Sequence, residues 1–493
     1  MTGTARPWCS MSEVARARRD LRRIGEVVWE IPAGARADMR VPARVFADAE
    51  LIEQIAADRS LEQLENVATL PGVREAALAM PDIHQGYGFP VGGVAATEPP
   101  DGVVSPGGVG YDINCGVRLL ALPVTASELG ARRERLVHEI SRRVPVGAGH
   151  GGSLRLQDAE LDRVLVGGPA VLAAEHAIGT AADVEHTESR GCLPDADPGA
   201  VSPRARARGA DQLGTLGSGN HFLEVQRVAE VLDAAAADAF GLWAGQVTVL
   251  IHSGSRGLGH QVCTDYVRRM DAVVSRYGIT LPDRQLACAP LSSPEGGQYL
   301  QAMAAAANFA FANRAVLAHR VRESIASTLG PGVAAGTRQI YDVAHNVAKL
   351  EQHGGAVLCV HRKGATRAFP PGSPEIPPAY RDAGQPVFIP GSMGTASYVL
   401  AGRPGAMERS FGTTCHGAGR RMSRTGARRE ITGAQLRRQL EAQGIVVRCP
   451  SNRGLAEEAP FAYKDVDRVV GVVERAGLAA RVARLVPLGV VKG

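Results

Sequence analysis

The sequence predicts a soluble globular protein that mixes α-helices with β-strands. Short apolar runs with the composition of strands recur along the chain, and several of them end in glycine-rich loops. Between these runs lie segments in which apolar residues repeat with helical spacing. A length of 493 residues would suit about three domains of ~150 residues each. However, no internal repeat, low-complexity tract or clean linker divides the chain.

The individual elements are predicted from these local patterns. Strands are predicted over residues 24–31, 117–122, 247–251, 356–360 and 387–389. Helices are predicted over residues 48–57, 61–67, 125–144, 164–178 and 299–329. The segment 194–210 is rich in turn residues and charge, which makes it the best candidate for a mobile loop. Loops after strand ends are where proteins of this kind place ligands and catalytic groups.

Composition narrows the class of protein. Hydrophobic residues make up 45% of the chain and charged residues 21%, as in soluble globular proteins. Glycine occurs 58 times, which predicts many turns and close backbone approaches, as in nucleotide or phosphate sites. The net charge of +5 is compatible with an anionic partner but is not diagnostic of one.

Cysteine usage and hydropathy predict the compartment. The eight cysteines include no Cys-x-x-Cys pair, which favours a reduced setting over a disulfide framework. No apolar run reaches the ~18 residues that a membrane-spanning helix needs. The segment from Met1 to Ser10 also lacks the apolar core of a signal peptide. The sequence therefore predicts a cytoplasmic protein without a membrane partner.

The stretch Gly107–Gly116 places a carboxylate, Asp112, and a thiol, Cys115, three residues apart between glycines. A hard oxygen and a soft sulfur on one tight turn can point at the same cation, and a sulfur can bridge two cations. Alone this spacing is a weak signal, because a buried cysteine beside a loop carboxylate is the simpler explanation.

Three histidines in glycine-rich or His-Asn contexts strengthen the signal: His221, His252 and His345. Each one alone is more simply a core or loop residue. Together with Asp112 and a bridging Cys115, they are just sufficient for two three-ligand metal centres with open positions. Such a pair of cations suits a two-metal clamp on phosphate. The donor types favour zinc as readily as manganese.

A fourth histidine, His416, lies in the motif Cys-His-Gly-Ala-Gly-Arg. Glycine amides can cradle a phosphate there, and a histidine beside a phosphate can act as a covalent nucleophile. The alternative is a loop histidine that only hydrogen-bonds the phosphate. No base is evident for its neighbour Cys415, so we expect that thiol to be structural. For Asp82 and His84, in another glycine-rich loop, loop-stabilising hydrogen bonds are an equal alternative to function.

Basic residues cluster in the same glycine-rich loops, which suits a polyanion crossing the site. They are Arg256, Arg362, Lys363, Arg367, Arg420, Arg421 and Arg424. For each of them a solvated or salt-bridged role is the alternative. Aromatic residues make up only 4% of the chain, so the sequence predicts no platform for stacking bases.

These segments contain six motifs: Pro-Asp-Ile-His-Gln-Gly, Gly-Tyr-Asp-Ile-Asn-Cys-Gly, Leu-Gly-Ser-Gly-Asn-His-Phe, His-Ser-Gly-Ser-Arg-Gly, Cys-His-Gly-Ala-Gly-Arg and the terminal Val-Lys-Gly. Together they closely resemble the RtcB family of GTP-dependent RNA-splicing ligases, from about Ile24 to Gly493. The resemblance implies a single large α+β domain of the family's own type over residues 21–493, with sheets around a central metal and nucleotide cleft. Residues 1–20 are expected to form a disordered N-terminal extension.

The resemblance also implies the ligands and the chemistry. One manganese ion would be bound by Asp112, Cys115 and His221, and a second by Cys115, His252 and His345. His416 would attack the α-phosphate of GTP, become guanylylated and pass the guanylate to an RNA 3′-phosphate, which comes from a 2′,3′-cyclic phosphate. A 5′-hydroxyl end would then displace GMP.

The resemblance further implies which residues line the guanylate pocket. These are Asn220, His221, Phe222, Leu223, Glu224, His345, Asn346, Pro390, Gly391, Ser392, Met393, Ser397, His416, Gly417, Ala418, Gly419 and Lys492, with Tyr463 as a further neighbour of the base. Manganese over zinc, guanine over adenine and the role of Lys492 follow from the resemblance alone.

The implied partners are RNA with broken or spliced tRNA-like ends and GTP, and an archease-type protein is a candidate activator. Two other functions fit parts of the sequence. A metal-dependent hydrolase, such as a cyclic phosphodiesterase, would use the Asp, Cys and His set but would leave His416 idle. A non-catalytic RNA-binding protein would leave the whole ligand-like set unexplained.

Overall fold

Two large β-sheets dominate the computed structural model, which describes residues 17–18, 20–147, 151–152 and 154–493. The strands are β1 (Arg22–Arg23), β2 (Val28–Ile31), β3 (Ala43–Phe46), β4 (Ala77–His84), β5 (Val91–Thr97), β6 (Val103–Val104), β7 (Gly116–Thr125), β8 (Phe222–Val231), β9 (Gln246–Ser253), β10 (Ala289–Pro290), β11 (Arg338–Ala344), β12 (Asn346–His353), β13 (Ala356–Lys363), β14 (Ala365–Arg367), β15 (Pro386–Ile389), β16 (Ser397–Gly402), β17 (Thr413–Cys415), β18 (Val446–Arg448) and β19 (Ala479–Lys492). The predicted N-terminal extension lies almost wholly outside the described residues.

One sheet has seven strands in the order β1-β2-β3-β4-β5-β13-β12. The other has the order β11-β7-β9-β8-β19-β16-β15, and β18 joins it beside β19. Neighbouring strands are antiparallel except β3 with β4 and β18 with β19. Two short pairs, β6 with β10 and β14 with β17, connect other parts of the chain.

Helices cover these sheets. They are α1 (Ala49–Ile55), α2 (Ser60–Val67), α3 (Ala126–Leu129), α4 (Arg132–Arg143), α5 (Asp158–Gly167), α6 (Pro169–His176), α7 (Ala181–Glu185), α8 (Pro203–Gly209), α9 (Ala234–Phe240), α10 (Arg256–Val273), α11 (Pro294–Leu329), α12 (Pro331–Ala335), α13 (Pro404–Ser410), α14 (Arg424–Glu430), α15 (Gly433–Ala442), α16 (Asn452–Glu457) and α17 (Val466–Arg475). The α+β class predicted for the chain is therefore confirmed.

Four of the predicted elements differ from the structure. The strand predicted over residues 24–31 begins only at Val28, because the chain turns at Gly25, where the amides of Ile24 and Gly25 both donate to the carbonyl of Val28. The helix predicted over residues 125–144 is interrupted at Gly130, whose φ of 47° does not continue a helix. The helix predicted over residues 164–178 is split in the same way at Gly168, with φ 59°. The predicted mobile loop 194–210 is wrong for its second half, which forms α8. Ser202 caps this helix, since its Oγ accepts a hydrogen bond of 3.2 Å from the amide of Ala205.

The long helix α11 is buried along most of its length and carries three polar side chains into the core. Asn308 accepts a 2.7 Å hydrogen bond from the amide of Leu193. Asn313 accepts one of 2.8 Å from the amide of Gly214. Arg314 forms an ion pair with Asp342, 2.8 Å away. The expectation that these polar groups have structural partners is thus confirmed, and α11 ties distant loops to one scaffold.

Candidate active site

The order of strands in the eight-stranded sheet brings four side chains to one edge. The strands β11, β7, β9 and β8 are consecutive neighbours and antiparallel. In such a set, the end of one strand meets the beginning of the next. The four side chains at or directly beside these strand ends are Cys115, His221, His252 and His345. The amide of His345 also donates a 2.8 Å hydrogen bond to the carbonyl of Cys115, which joins two of them directly.

These side chains form two groups of donors that share Cys115. The Cys115 Sγ lies 3.2 Å from Nε2 of His221 and 3.3 Å from Nε2 of His252. Nε2 of His252 lies 3.3 Å from Nε2 of His345. Asp112 completes the first group, with its Oδ2 2.8 Å from Nε2 of His221. The ligand atoms of each group of three all lie within 4.8 Å of one another.

The donor set fits metal ions. Ligands bound to one ion at about 2.0–2.3 Å must approach each other to about 3–4 Å, as these atoms do. Oδ2 of Asp112 is buried, and within the described residues no donor outside its own group of candidate ligands contacts it, so its lone pairs are directed at the same centre as the other donors. Both predicted ligand sets are therefore brought together, while the kind of metal does not follow from the donors.

Burial and neighbouring charges set the protonation states of these ligands. Burial lowers the pKa of His221, His252 and His345, which favours the neutral imidazole that binds metals. Burial opposes ionisation of Asp112, but His221 next to it lowers the pKa of this carboxyl well below its ordinary value. Burial and Asp112 both raise the pKa of the Cys115 thiol, so a cation is needed to hold it as a thiolate.

Arg314, on the buried helix α11, fixes the backbone around these candidate ligands. Its Nη1 donates hydrogen bonds of 2.7 Å to the carbonyl of Asn114 and 2.9 Å to the carbonyl of Ser253. Asn114 has a φ of 52°, a left-handed conformation that lets the turn double back before Cys115. One buried guanidinium therefore ties the turn before β7 to the end of β9, where His252 lies.

His416 lies beside this cluster. It follows β17 directly, and its ring centroid is 5.0 Å from that of His345. Its Nδ1 is 2.5 Å from Oδ2 of Asp82, a fully buried carboxylate that also accepts hydrogen bonds from the amides of His416 (3.0 Å) and Gly417 (3.2 Å). Burial raises the pKa of Asp82, but His416 outweighs burial and keeps it below the ordinary value. Asp82 thus orients the ring and leaves Nε2 for a substrate.

A cavity of 470 Å³ lies between the cluster and His416. Most of the predicted nucleotide-pocket residues line it: Asn220, Phe222, His345, Asn346, Pro390, Gly391, Ser392, Met393, His416, Gly417, Ala418, Gly419 and Lys492. His221, Leu223, Glu224 and Ser397 do not. Leu223 packs into the core on the other face of the sheet. Gln226 lies behind the wall and donates hydrogen bonds of 2.6 Å to Glu224 and 3.1 Å to Ser397.

Two buried ionisable groups border this region. Lys492, at the end of β19, donates hydrogen bonds to the carbonyls of Gly219 and His221, the latter at 3.1 Å. Burial lowers the pKa of Lys492 to about 8. Burial also raises the pKa of Glu224 to about 8. The pKa of each group therefore lies close to neutral pH, where the group can gain or lose a proton.

One wall residue, Glu458, was not predicted from the sequence. Glu458 accepts hydrogen bonds of 3.0 Å from both Arg420 and Arg424, and Tyr463 donates to it as well. Together with Lys492 these groups line one part of the cavity. Asp82 was noticed only as a loop residue, because nothing in the sequence relates position 82 to position 416.

The basic residues of the glycine-rich loops play different roles. Arg362 is fully buried and forms ion pairs with Glu351, and Arg367 is buried beside Glu188 and Glu375. The predicted contact with a polyanion is therefore wrong for these two, and the salt-bridged alternative holds. Arg256 donates a 3.0 Å hydrogen bond to Nδ1 of His221. The prediction that Cys415 is structural agrees with its burial, which raises the thiol pKa well above its ordinary value.

Comparison with known proteins identifies relatives along almost the whole chain. Residues 63–493 match the family profile described as "tRNA-splicing ligase RtcB". A tRNA-splicing ligase RtcB of Thermococcus kodakarensis is 54% identical over 478 residues, which cover 96% of this chain and 99% of the relative. One of Archaeoglobus fulgidus is 53% identical over equal shares of both chains. An RNA-splicing ligase RtcB of Mycobacterium bovis is 53% identical over 87% of this chain and all of its own length.

Proposed function

The chain belongs to the RtcB family of RNA-splicing ligases, and we propose that it seals RNA ends through a guanylylated His416 beside a pair of manganese ions. The observation that carries this proposal is the short distance between the nucleophile and the metal ligands. His416 and His345 have ring centroids 5.0 Å apart and line the same cavity. An RNA ligase activity follows from the family itself, and GTP, manganese and the histidine adduct are the proposed details.

The two groups of three ligands that share Cys115 would hold the metal ions. Asp112 and His221 complete one group, and His252 and His345 complete the other. When bound, the ions supply positive charge that stabilises the charge developing on the phosphate oxygens. The choice of manganese rests on the resemblance to the family, since the donors suit zinc equally.

His416 is the proposed nucleophile of the first step. Its Nε2 attacks the α-phosphorus of GTP, a P–N bond forms, and the P–O bond to pyrophosphate breaks. Asp82 would hold the proton on Nδ1 and stabilise the positive charge that the ring acquires, because its carboxylate lies 2.5 Å from Nδ1. Ala418 and Gly419 border the same cavity, and their amides would cradle the phosphate.

The guanylate would next pass to the 3′-phosphate of an RNA, which restores the free histidine. The 5′-hydroxyl of a second RNA end then attacks the 3′-phosphorus, the strand is sealed and GMP leaves. Activation in this way replaces a phosphate oxygen, a poor leaving group, by a nucleotide. The 3′-phosphate would arise by hydrolysis of a 2′,3′-cyclic phosphate in the same cavity.

The guanine base is proposed to occupy the wall of the cavity that carries Glu458, Tyr463 and Lys492. Lys492, Glu458 and Tyr463 present an amine, a carboxylate and a phenol there. Lys492 is held by the carbonyls of Gly219 and His221, so its position depends on the loop that carries a metal ligand. Glu458 and Lys492 are buried and Tyr463 is half-buried, and a base with matching donors and acceptors would hydrogen-bond to them.

The remaining proposals concern setting and partners. RNA and GTP are the proposed substrates, an archease-type protein is a candidate activator, and the cytoplasm is the proposed compartment. Within the part of the chain that the structure describes, no helix is both long and apolar enough to cross a membrane.

A metal-dependent phosphodiesterase is the second candidate, since the metal ligands alone would suit it. The pairing of His416 with Asp82 argues against it, because a hydrolase of this kind leaves that oriented histidine without a task. Incubation with α-labelled GTP and manganese separates the two. We expect a covalent labelled adduct that His416→Ala abolishes, while His138→Ala, at an exposed position on α4, leaves it unchanged. Cleavage of cyclic ends by the unchanged protein without any retained label would favour the hydrolase.

A further inference from the structure

Three aromatic rings lie beside the metal ligands although the chain is poor in aromatic residues. Tyr111 immediately precedes the ligand Asp112 and lines the cavity. Its ring packs against Tyr87 on one side, with centroids 5.2 Å apart, and against His260 on another, with centroids 4.9 Å apart. The planes of Tyr111 and His260 differ by only 30°, so the two rings are roughly stacked.

We propose that Tyr87, Tyr111 and His260 form a stacking platform for a base of the RNA strand whose end enters the cavity. The proposal rests on the RNA ligase function proposed above and adds the place where the strand is held. His260 is exposed, so the stack that begins with Tyr111 can be continued outward by a nucleobase. Stacking on aromatic rings is the usual way in which proteins hold single-stranded nucleic acid without reading its sequence.

The platform is held in place before any ligand binds. Lys363 is buried and donates hydrogen bonds to the carbonyls of Tyr87 and Phe89, the latter at 3.0 Å. The amide of Gly88 donates a 3.0 Å hydrogen bond to Oε1 of Gln285. Gly88 also has a φ of 67°, and a Cβ there would lie 2.4 Å from the carbonyl oxygen of Gln285. The loop that carries Tyr87 is therefore held at this residue and at the two residues that follow it.

Positive charge surrounds the aromatic rings. Burial lowers the pKa of His260 and raises that of Tyr111, while Arg208 on α8 and Arg268 on α10 each act to lower the pKa of the ring beside them. Both arginines are exposed. His260, Thr264 and Arg268 recur every four residues on α10, so they lie on one face of this helix. The face extends about 12 Å away from the metal ligands, far enough for more than one nucleotide.

Phosphates of the same strand would contact these arginines while a base stacks on His260. If the rings had only a structural role, a substitution in them would change the affinity for every ligand by the same factor. Base stacking instead predicts that the effect of a substitution depends on whether the nucleotide carries a base, and this difference makes the proposal testable.

The test measures binding of a short single-stranded RNA with a 3′-phosphate by fluorescence anisotropy, in the full chain with manganese. His260→Ala should weaken binding by about 5-fold to 150-fold, the range measured for loss of one stacked base. His260→Phe should retain most of the affinity, because it keeps an aromatic face. His138→Ala serves as the matched control, at another exposed histidine.

A second ligand series has a single abasic nucleotide at each of the last four positions in turn. At the position that stacks, His260→Ala and the unchanged protein should bind equally, since the base is already missing. Two results would overturn the proposal. One is equal affinity of His260→Ala and the unchanged protein for the intact RNA. The other is that His260→Ala lowers the affinity by the same factor wherever the abasic nucleotide stands. Labelled GTP is tested in parallel on the unchanged protein, and failure to form an adduct there would count against the proposed ligase mechanism and not against the platform.

Discussion

Replacing Asp82 by asparagine tests how the nucleophile is oriented. The carboxylate makes three contacts through one oxygen: the amides of His416 and Gly417 at 3.0 and 3.2 Å, and Nδ1 of His416 at 2.5 Å. An asparagine oxygen in the place of Oδ2 can keep all three contacts, but it is neutral and no longer stabilises the positive charge that the ring acquires. If the side chain turns over so that NH₂ faces the ring, both amide bonds are lost as well, Nδ1 must act as the acceptor, and the proton then moves to Nε2, the atom that has to attack.

The magnitude follows from these contacts. Loss of one charge-assisted hydrogen bond costs about 1.5–3 kcal/mol, which slows adduct formation roughly 10-fold to 150-fold. A histidine locked in the wrong tautomer can lose up to about 10⁴-fold, as in serine proteases. We therefore expect Asp82→Asn to form the guanylate adduct at least about 10-fold more slowly, with little change in thermal stability because the volume and both amide bonds are kept.

Single-turnover incorporation of label from α-labelled GTP measures this rate. Asp82→Ala is the companion variant, and it should also lower the melting temperature, because two buried amides then lose their acceptor. Asp271→Asn, at an ion pair with the exposed Arg284, is the control for removing a carboxylate. An unchanged rate of adduct formation in Asp82→Asn would refute the assignment of Asp82 as the residue that orients His416.

Three further predictions concern the shared candidate ligand Cys115, the buried Arg314 and the glycine loop after His416. Cys115→Ala should lose both metal ions in elemental analysis because this residue is the shared ligand, and retention of two ions would contradict the bridging role. Arg314→Met should destabilise the fold by roughly 2–6 kcal/mol, since two buried carbonyls each lose a partner while Asp342 keeps its ion pair with Arg118, and an unchanged urea midpoint would disprove this. Gly419→Ala should abolish adduct formation, because its Cβ would lie 2.1 Å from a backbone oxygen, whereas Gly477→Ala, with an equal φ of 72° but no neighbour within 4 Å, should retain it.

The candidate metal ligands could be selected from the sequence because each lies in a short local pattern. A polar residue beside an apolar run and close to glycine marks the place where a strand meets a loop: His252 follows the run 247–251, and Cys115 precedes Gly116 and the run 117–122. The pairing of β11 with β7 and of β7 with β9 then explains why these separate patterns meet. No local pattern specifies that pairing, so the sequence indicated the candidates but not which of them share an ion.

Other features depended on long-range packing and were missed for that reason. Asp82 contacts a residue 334 positions away, and only the folded chain shows that its carboxylate orients His416. Arg362 looked like a surface cation in a glycine-rich loop, yet its partner Glu351 lies on the neighbouring strand β12 and both are buried. The rings of Tyr87, Tyr111 and His260 come from three distant segments, so a low aromatic content did not indicate their cluster.

The central claim, a nucleotide bound covalently to His416, is tested most directly by mass spectrometry of the protein after incubation with GTP and manganese. We expect one guanylate for each chain, and peptide mapping should locate it on the peptide that contains His416. A guanylate on a lysine such as Lys492, or no adduct in protein that nevertheless joins RNA ends, would contradict the mechanism.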